Sequence, residues 1–511
     1  MDPRISRATT VLLTPDEMAQ ADRLTIEGGV PGIELMEKAG QAVARAAANL
    51  VRSGAGILVL CGPGNNGGDG FIAARCLMAA GFGVEVLLLK DPSGLKGDAK
   101  IAFDRMDLPF RVAGADENFG ESLAKRLDGT DLVIDALFGA GLDRPLSGEG
   151  LALAVEVNRS GCQVLSVDLP TGLNGANGVD LGDAIKASAT VTFFRLKPGH
   201  LLFPGRGLCG QTTVSDIGIR ADTVDKIAPD TFRNSPELWR DSWPAANPSG
   251  HKYGKGHAVV FGGPMSATGA ARMSAVASLR AGAGLVTLAS PPDAMLVNAN
   301  HLTAVMLMKV SDVGGIPDVL SDQRLNAVLI GPGYGIGPKT REAVEAILVQ
   351  ERSTVLDADA LTSFSEVPET FFDLTRSTEN PVVLTPHEGE FAHLFPDLKG
   401  DKLLRARQAA KKSGAIVILK GADTVIASPD GRAAINCNAP PWLATAGSGD
   451  VLAGIALGLL AQGVPSFEAA CQAVWLHGEA GTEVGPGLVA EDLPSALKPA
   501  IQMLVDKFAG S

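Results

Sequence analysis

The sequence predicts two α/β domains in one chain, each built on a largely parallel sheet. Three observations predict it. The 511 residues exceed a single domain at roughly 100–200 residues each. Short apolar runs alternate with amphipathic stretches along both halves, as strands joined by crossover helices do. Finally, 61 glycines and 31 prolines accompany only 5% aromatic residues, a composition suited to ligand-wrapping turns rather than to base-stacking surfaces. With 46% hydrophobic and 20% charged residues, the chain can bury sizeable cores, which excludes disorder as its main state.

In the first part, Thr14-Pro15-Asp16-Glu17 reads as a helix start: a cap residue, a proline at the first helical position and a glutamate at the third form a capping box. Gly28-Gly29 ends that helix, and a second apolar periodicity runs through Ile33, Met36, Val43, Ala47 and Leu50. Buried strands follow at 57–60, 84–89, 132–134 and 164–167, with a helix over 71–80; 190–194 and 212–217 complete the sheet. Between about Arg220 and Gly250 the period fails, and Pro229, Pro236, Pro244 and Pro248 punctuate polar sequence. Residues 226–250 therefore read as a linker or arm between a domain over 1–225 and another over 251–511. Beyond it, strands are expected at 258–261, 285–289, 327–330, 354–356, 382–384 and 416–419, with helices at 269–281, 341–349 and 403–412. The closing stretches 450–460, 467–483 and 493–505 read as helices. No fixed-period repeat relates the halves.

A net charge of −13 repels polyphosphate backbones at long range and argues against bulk DNA or RNA binding. Small anions remain accessible to backbone N–H groups. The six cysteines are scattered without CxxC spacing, which argues against a zinc site or disulfide framework and for a reducing compartment. No signal-peptide core is present in 1–20, and 451–464 is too short to span a bilayer. A cytoplasmic protein is the expectation.

Gly62-Pro63-Gly64-Asn65-Asn66-Gly67-Gly68-Asp69-Gly70 lies between a strand and a helix, where a glycine-rich turn admits a phosphate to a helix N-terminus. The GxGxxG within it is weak evidence alone, and a tight turn with close helix packing uses the same residues. Two further strands end in carboxylates: Asp135, followed by Phe138-Gly139-Ala140-Gly141-Leu142, and Asp168, followed by Leu169-Pro170-Thr171-Gly172. Loops after parallel strands converge on one edge, so Asn66, Asp135, Asp168 and Thr171 are expected to meet as hard oxygen donors for a small cation. In the second half, Thr445-Ala446-Gly447-Ser448-Gly449-Asp450 opens an apolar helix. Its glycines bare N–H groups for an anion, and Asp450 either caps the helix or accepts a hydroxyl proton during phosphoryl transfer. No Walker GxxxxGK[ST] surrounds it. Gly331-Pro332-Gly333-Tyr334-Gly335, Leu356-Asp357-Ala358-Asp359-Ala360, Thr385-Pro386-His387-Glu388-Gly389-Glu390 and Leu419-Lys420-Gly421-Ala422-Asp423-Thr424 each follow a buried strand. The lysine is suited to a phosphate.

The segments GNNGGDG, DALFGAGLDRPLSG and SVDLPTGLNG, covering most of 1–220, resemble the epimerase module of bifunctional NAD(P)H-hydrate repair enzymes. HKYGKGHAVVFGG, SATGAA, IGPGYG, LDADAL, LTPHEGEF, LKGADT and AGSGD, in that order across about 235–505, resemble the ADP-dependent NAD(P)H-hydrate dehydratase module of the ribokinase-like fold. The resemblance implies a Rossmann-like three-layer domain followed by a ribokinase-like α/β domain. For the first site it implies K+ held by Asn66, Asp135 and Thr171, and hydrated nucleotide along Asn65, Asn66, Gly67, Gly68 and Asp69 and along Gly139, Ala140, Gly141, Leu142, Asp143, Arg144 and Pro145. Asp168 is then the proton-transfer group. For the second it implies substrate contacts from Ala270, Gly333, His387 and Asp450. ADP, with Mg2+, would lie on Lys420, Gly421, Ala422, Asp423, Thr424 and Gly449. Thr171 and Ser448 stand where some relatives carry Ser and Thr, which keeps the hydroxyl at both positions. The implied partners are NADHX, NADPHX and ADP, without nucleic acid or membrane, in a homo-oligomer. Rival readings are a ribokinase-like small-molecule kinase fused to a non-catalytic nucleotide-binding module, a dehydrogenase using the first domain, and a binding scaffold.

Overall fold

The computed structural model describes residues 9–114, 119–244 and 251–509. The chain divides into two compact units, Val11–Thr231 and a second from Phe232 onward that also takes in Thr9 and Thr10.

The first unit holds a seven-stranded sheet: β1 (Gly56–Cys61), β2 (Gly83–Leu88), β3 (Phe110–Val112), β4 (Leu132–Ala136), β5 (Gln163–Val167), β6 (Ala189–Phe193) and β7 (Gln211–Ser215). Their order is β3-β2-β1-β4-β5-β6-β7, and every pairing is parallel. Strand order reverses between β1 and β4, so a crevice opens beyond their C-terminal ends. Register sets the site: Cys61 stands opposite Ala136, and Asp135 opposite Ser166. Helices α1 (Pro15–Glu27), α2 (Gly32–Leu50) and α3 (Asn65–Ala79) belong to this unit. Leu58, Leu60, Leu87, Val133, Leu153 and Val157 form one of its buried cores. The capping box at the start of α1 is present, with the Glu17 N–H donating to Thr14 Oγ1 at 3.3 Å and the Thr14 N–H to Glu17 Oε2 at 2.7 Å.

The second unit is built on a ten-stranded sheet comprising β8 (Thr231–Arg233), β9 (His257–Phe261), β10 (Leu285–Ser290), β11 (Met306–Lys309), β12 (Leu325–Ile330), β13 (Ser353–Leu356), β14 (Val382–Leu384), β15 (Ile416–Leu419), β16 (Val425–Ala427) and β17 (Ala433–Ile435). The order is β11-β10-β9-β12-β13-β14-β15-β16-β17-β8. β11 to β15 run parallel and β15-β16-β17 form an antiparallel meander. Helices α4 (Thr268–Arg280), α5 (Glu388–Leu394), α6 (Ser448–Ala461) and α7 (Ser466–Val484) carry or support its site. On α6, a Cβ at Gly454 or Gly458 would lie 2.2 Å from Ser274 O or 2.4 Å from Ser278 O. α4 and α6 therefore pack backbone against backbone.

Three expectations are corrected. First, the segment expected as a linker over 226–250 holds strand β8 and a short helix, Pro236–Trp239. Trp239 is 1% exposed, its indole N–H donates to Asn234 Oδ1 at 3.1 Å, and its ring packs edge-on to Trp475. That burial of a large aromatic outweighs the segment's prolines; Pro248 lies outside the described residues. Second, α3 begins at Asn65, so the Asn-Asn-Gly-Gly-Asp run forms its opening turns rather than a preceding loop. Third, α6 begins at Ser448 with Gly447 as its cap residue, which puts Asp450 inside the first turn rather than at the cap. Among the described residues, no helix is long and apolar enough to cross a membrane.

Candidate active sites

In the first unit the crevice at the strand reversal is a cavity of about 610 Å³, within the usual range for a small-molecule site. Backbone contact shapes its floor. A Cβ at Gly62 would lie 1.7 Å from Leu137 O, and one at Gly67 would lie 2.0 Å from Gly62 O. The loops after β1 and β4 thus touch where only glycine fits. A Cβ at Gly139 would lie 2.9 Å from Asn66 Oδ1 and 3.1 Å from Asp168 Oδ2, so the first turn of α3 and the loops after β4 and β5 meet at one point. No side chain caps the N-terminus of α3, leaving its first N–H groups available to an anion.

Asp168 sits at φ +65°, strained for a non-glycine residue and held by its surroundings. Its Oδ1 accepts from Lys197 Nζ at 2.6 Å and Thr192 Oγ1 at 2.9 Å, and its Oδ2 accepts from the Ala140 N–H at 3.0 Å. Lys197 is 1% exposed and also donates to Thr192 Oγ1 at 2.9 Å. Burial alone would raise the Asp168 carboxyl, but the adjacent ammonium and these hydrogen bonds hold it at about 2. His200 donates from Nε2 to Asp168 O at 2.8 Å and accepts the Lys197 N–H on Nδ1 at 3.0 Å. Burial, with Lys197 beside it, lowers His200 to about 4 and keeps it neutral.

Asp135 is fully buried. Its Oδ1 accepts from Thr171 Oγ1 at 2.7 Å, and its Oδ2 accepts from Ser166 Oγ at 2.8 Å and the Thr171 N–H at 2.9 Å. Burial raises its pKa, because no cationic side chain pairs with it among the described residues. Asn66 Nδ2 is buried without a partner. A buried carboxylate lacking a cation, beside the Thr171 hydroxyl and, through it, the Phe138 carbonyl, offers oxygen donors that fit a monovalent cation. Among the described residues, no group of three or more His, Cys, Asp or Glu could hold a metal.

Of the residues expected to meet substrate here, Asn65, Asn66, Asp69, Asp168 and the run Gly139, Ala140, Gly141, Leu142, Asp143 and Arg144 line the cavity. Gly67 and Gly68 serve close packing inside α3, where a Cβ at Gly68 would lie 2.6 Å from Met36 Sδ. Pro145 is exposed and outside the lining.

In the second unit, Asp450 lies in the first turn of α6, and Ser274 Oγ donates to its backbone O at 2.9 Å. Ser448 Oγ and His477 Nε2 are 3.0 Å apart and buried; burial lowers His477 to about 4. Lys420 Nζ donates to Asp357 Oδ1 at 2.9 Å and lies 3.8 Å from Glu390 Oε2. A Cβ at Gly449 would stand 3.3 Å from Lys420 Nζ, so the ammonium overlooks the start of α6. Burial opposes its charge, but Asp357 and Glu390 keep its pKa above the ordinary lysine value. Burial, then Asp357, Asp359 and Glu390, push Asp450 up to about 7, with Lys420 opposing. Carboxylates outnumber the one ammonium, an excess that a divalent cation carried on phosphates would relieve.

The remaining expected residues fall nearby with mixed roles. A Cβ at Gly333 would lie 3.5 Å from Ala270 Cβ, so these two are neighbours. His387 caps α5, its Nδ1 accepting the Gly389 N–H at 2.9 Å and the Glu390 N–H at 3.2 Å, with most of its ring exposed. Asp423 pairs with Lys402 at 2.7 Å, and Thr424 Oγ1 donates to Gly421 O at 2.9 Å. Both side chains thus brace the turn after β15 rather than stand free.

Two family models divide the chain as its two sites do. One, described as YjeF-related protein N-terminus, matches residues 32–199; the other, described as NAD(P)H-hydrate dehydratase, matches 258–502. The bifunctional NAD(P)H-hydrate repair enzyme of Moorella thermoacetica is 37% identical over 499 residues, covering 92% of each chain. The chain belongs to the bifunctional NAD(P)H-hydrate repair enzymes. A second repair enzyme, that of Thermofilum pendens, is 35% identical over 524 residues, covering 99% of this chain and 97% of its own. An ADP/ATP-dependent NAD(P)H-hydrate dehydratase from Bacillus subtilis superposes with a TM-score of 0.47 and 26% identity, over 53% of this chain and 98% of that one.

In this member of the repair-enzyme family, sequence reasoning missed Lys197, Thr192 and His200, which hold Asp168. It also missed Asp22 on α1 and His477 on α7. Lys197 carried a readable signal: Leu196-Lys197-Pro198-Gly199-His200 follows a buried strand as the other functional loops do.

Proposed function

We propose that the two units act in succession on hydrated NADH and NADPH, the first interconverting the R and S hydrates and the second dehydrating the S form with ADP. The observation that carries this reading is a pair of carboxylates in opposite states: Asp168 held as an anion by Lys197, and Asp450 held near 7 beside a bare helix start. In the first cavity, epimerisation needs the hydrated ring carbon to open and reclose, and an anionic Asp168 takes the hydroxyl proton. Asn66, Asp135 and Thr171 would hold K+, which when bound neutralises the buried Asp135 charge. Asn65 and Asp69 flank the nucleotide on one side, and the run from Gly139 to Arg144, with Pro145 beyond, on the other.

In the second site, Asp450 takes the proton of the substrate hydroxyl as the terminal phosphoryl group of ADP moves to that oxygen. A hydroxyl becomes a phosphate ester, AMP leaves, and loss of phosphate with a neighbouring C–H proton restores the ring double bond. A base near 7 suits that proton transfer at neutral pH, and the N–H groups of Gly447 and Gly449 face the moving charge. Mg2+ on the nucleotide would offset charge against Asp357 and Glu390. Ala270, Gly333 and His387 are read as substrate contacts, and Lys420–Thr424 with Gly449 as the nucleotide cradle. We read the protein as cytoplasmic, given its acidic charge and free cysteines, as working on small molecules, and as a homo-oligomer. The test incubates the full chain with mixed hydrates and follows the coenzyme's near-ultraviolet absorbance. With ADP and Mg2+ both epimers are expected to return to NADH. Recovery that stops at the S fraction contradicts the first site, and recovery without nucleotide contradicts the second.

A further inference from the structure

We propose that Asp22 is the second proton-transfer group of the first site, giving a proton to the ring nitrogen while Asp168 takes one from the hydroxyl. The proposal rests on the reading above that this cavity epimerises the hydrate, and it adds the acid that the reading leaves unnamed.

Geometry carries it. Pro15, Met18, Ala19, Asp22 and Ile26 line the cavity from α1, at i, i+3, i+4, i+7 and i+11, which is one helical stripe. Four of these five are apolar, so Asp22 is a single carboxyl set into an otherwise greasy wall. The capping box at Thr14 and Glu17 fixes the rotation of that stripe. An aspartate in an apolar stripe normally has a hydrogen-bond or ionic partner. Among the described residues Asp22 makes no side-chain hydrogen bond and no ion pair within 4.0 Å; it faces the same cavity as Asp168 and Lys197. Burial, with Asp168 adding and Lys197 and Arg23 opposing, raises it to about 6, whereas Asp168 sits at about 2. Two carboxyls of one site driven apart in this way supply one base and one acid.

Charged groups on the same cavity are Asp69, Asp98, Asp143, Arg144, Asp168 and Lys197. Asp225 and Lys226, on the helix Thr223–Ile227 packed against α1, are exposed. Burial likewise raises Asp69, and Asp168 and Asp22 add to the rise, which makes Asp69 the competing acid.

The step balances without any further reactant. The hydroxyl O–H bond and the bond from the hydrated carbon to the ring nitrogen break, while a C=O and an N–H form. The aldehyde turns about the adjoining carbon–carbon bond. Reclosure then returns the nitrogen's proton to Asp22 and that of Asp168 to oxygen, on the opposite face.

The test follows R-epimer formation from pure S epimer by chromatography, using the full chain without ADP. D22N is expected to lower kcat by about 100-fold or more with KM within about threefold. ADP-dependent dehydration of the S epimer should stay at the wild-type rate. In wild type, kcat/KM should fall as pH rises through about 6, because the acid form is lost; D22N should lack that limb and D22E keep it. Epimerisation by D22N within about threefold of wild type, or a limb abolished only by D69N, overturns the proposal. A wild-type chain that never interconverts the epimers overturns instead the reading beneath it.

Discussion

Asp450→Asn is expected to lower ADP-dependent dehydration of the S hydrate by roughly 10²–10⁴-fold and to leave epimerisation untouched. The wild-type rate should climb with pH through about 7, as Asp450 loses its proton, and then level off; the variant's residual rate should be flat. The same substitution is expected to stabilise the protein. Burial and the carboxylates of Asp357, Asp359 and Glu390 raise Asp450 in the folded state, so its ionisation disfavours folding. That penalty is absent below the unfolded carboxyl's pKa and complete above about 7. At pH 8, Asp450→Asn should gain on the order of 1–3 kcal/mol in thermal or denaturant unfolding, and nothing at pH 3. Such a trade, stability against activity, is the mark of a charge kept for chemistry. Full dehydration in the variant would remove Asp450 from the reaction. Unchanged stability at pH 8 would mean that its neighbours do not raise it.

Lys197→Met is expected to be the most damaging substitution in the first unit. It leaves Asp168 with no cation beside it, at a cost of about 3–5 kcal/mol where the carboxylate stays ionised, and epimerisation should vanish as burial raises the carboxyl's pKa. The sign follows from the wild-type shift. Asp168, depressed to about 2, contributes stability above the unfolded value near 4 that is lost as pH falls toward 2. Without Lys197, burial dominates and Asp168 prefers its proton, so the variant should be less stable at pH 8 than at pH 5. The double variant Lys197→Met with Asp168→Asn replaces the orphaned charge by an amide. It should recover most of the stability while staying inactive in epimerisation. Denaturant unfolding of the two single variants and the double variant checks this. A Lys197→Met chain as stable as wild type would mean the pair contributes nothing.

How much of this was legible depends on how each residue reaches its site. Asp135, Asp168, Asn66 and Asp450 stand at strand ends or helix starts with a glycine in the same short segment, so their segments could be read one at a time. Lys197 offered only its place after a buried strand. It lies 29 residues beyond Asp168, and a lone lysine in sequence reads as surface. Asp22 was recoverable, because an acid in the apolar stripe of Pro15, Met18, Ala19 and Ile26 breaks the helical pattern. The two sheets' central strands were read within a residue or two at most ends. The strands missed were β3, β8, β11, β16 and β17, each of three or four residues; β13, β14 and β15 are as short and were legible as buried Val, Leu and Ile runs. The expected linker failed because the burial of Trp239, which ties the segment to the second unit, outweighs its prolines.

The central claim is that two carboxylate-bearing sites, one in each unit, work in sequence on one damaged coenzyme. Pure R hydrate with ADP and Mg2+ tests it most directly, because R must pass through the first site before the second can act. Wild type should return all of it to NADH. Asp168→Asn and Asp450→Asn should each return none above the uncatalysed rate, and an equal mixture of the two variants should restore the conversion. Conversion of R hydrate by Asp168→Asn alone at the wild-type rate would contradict the account.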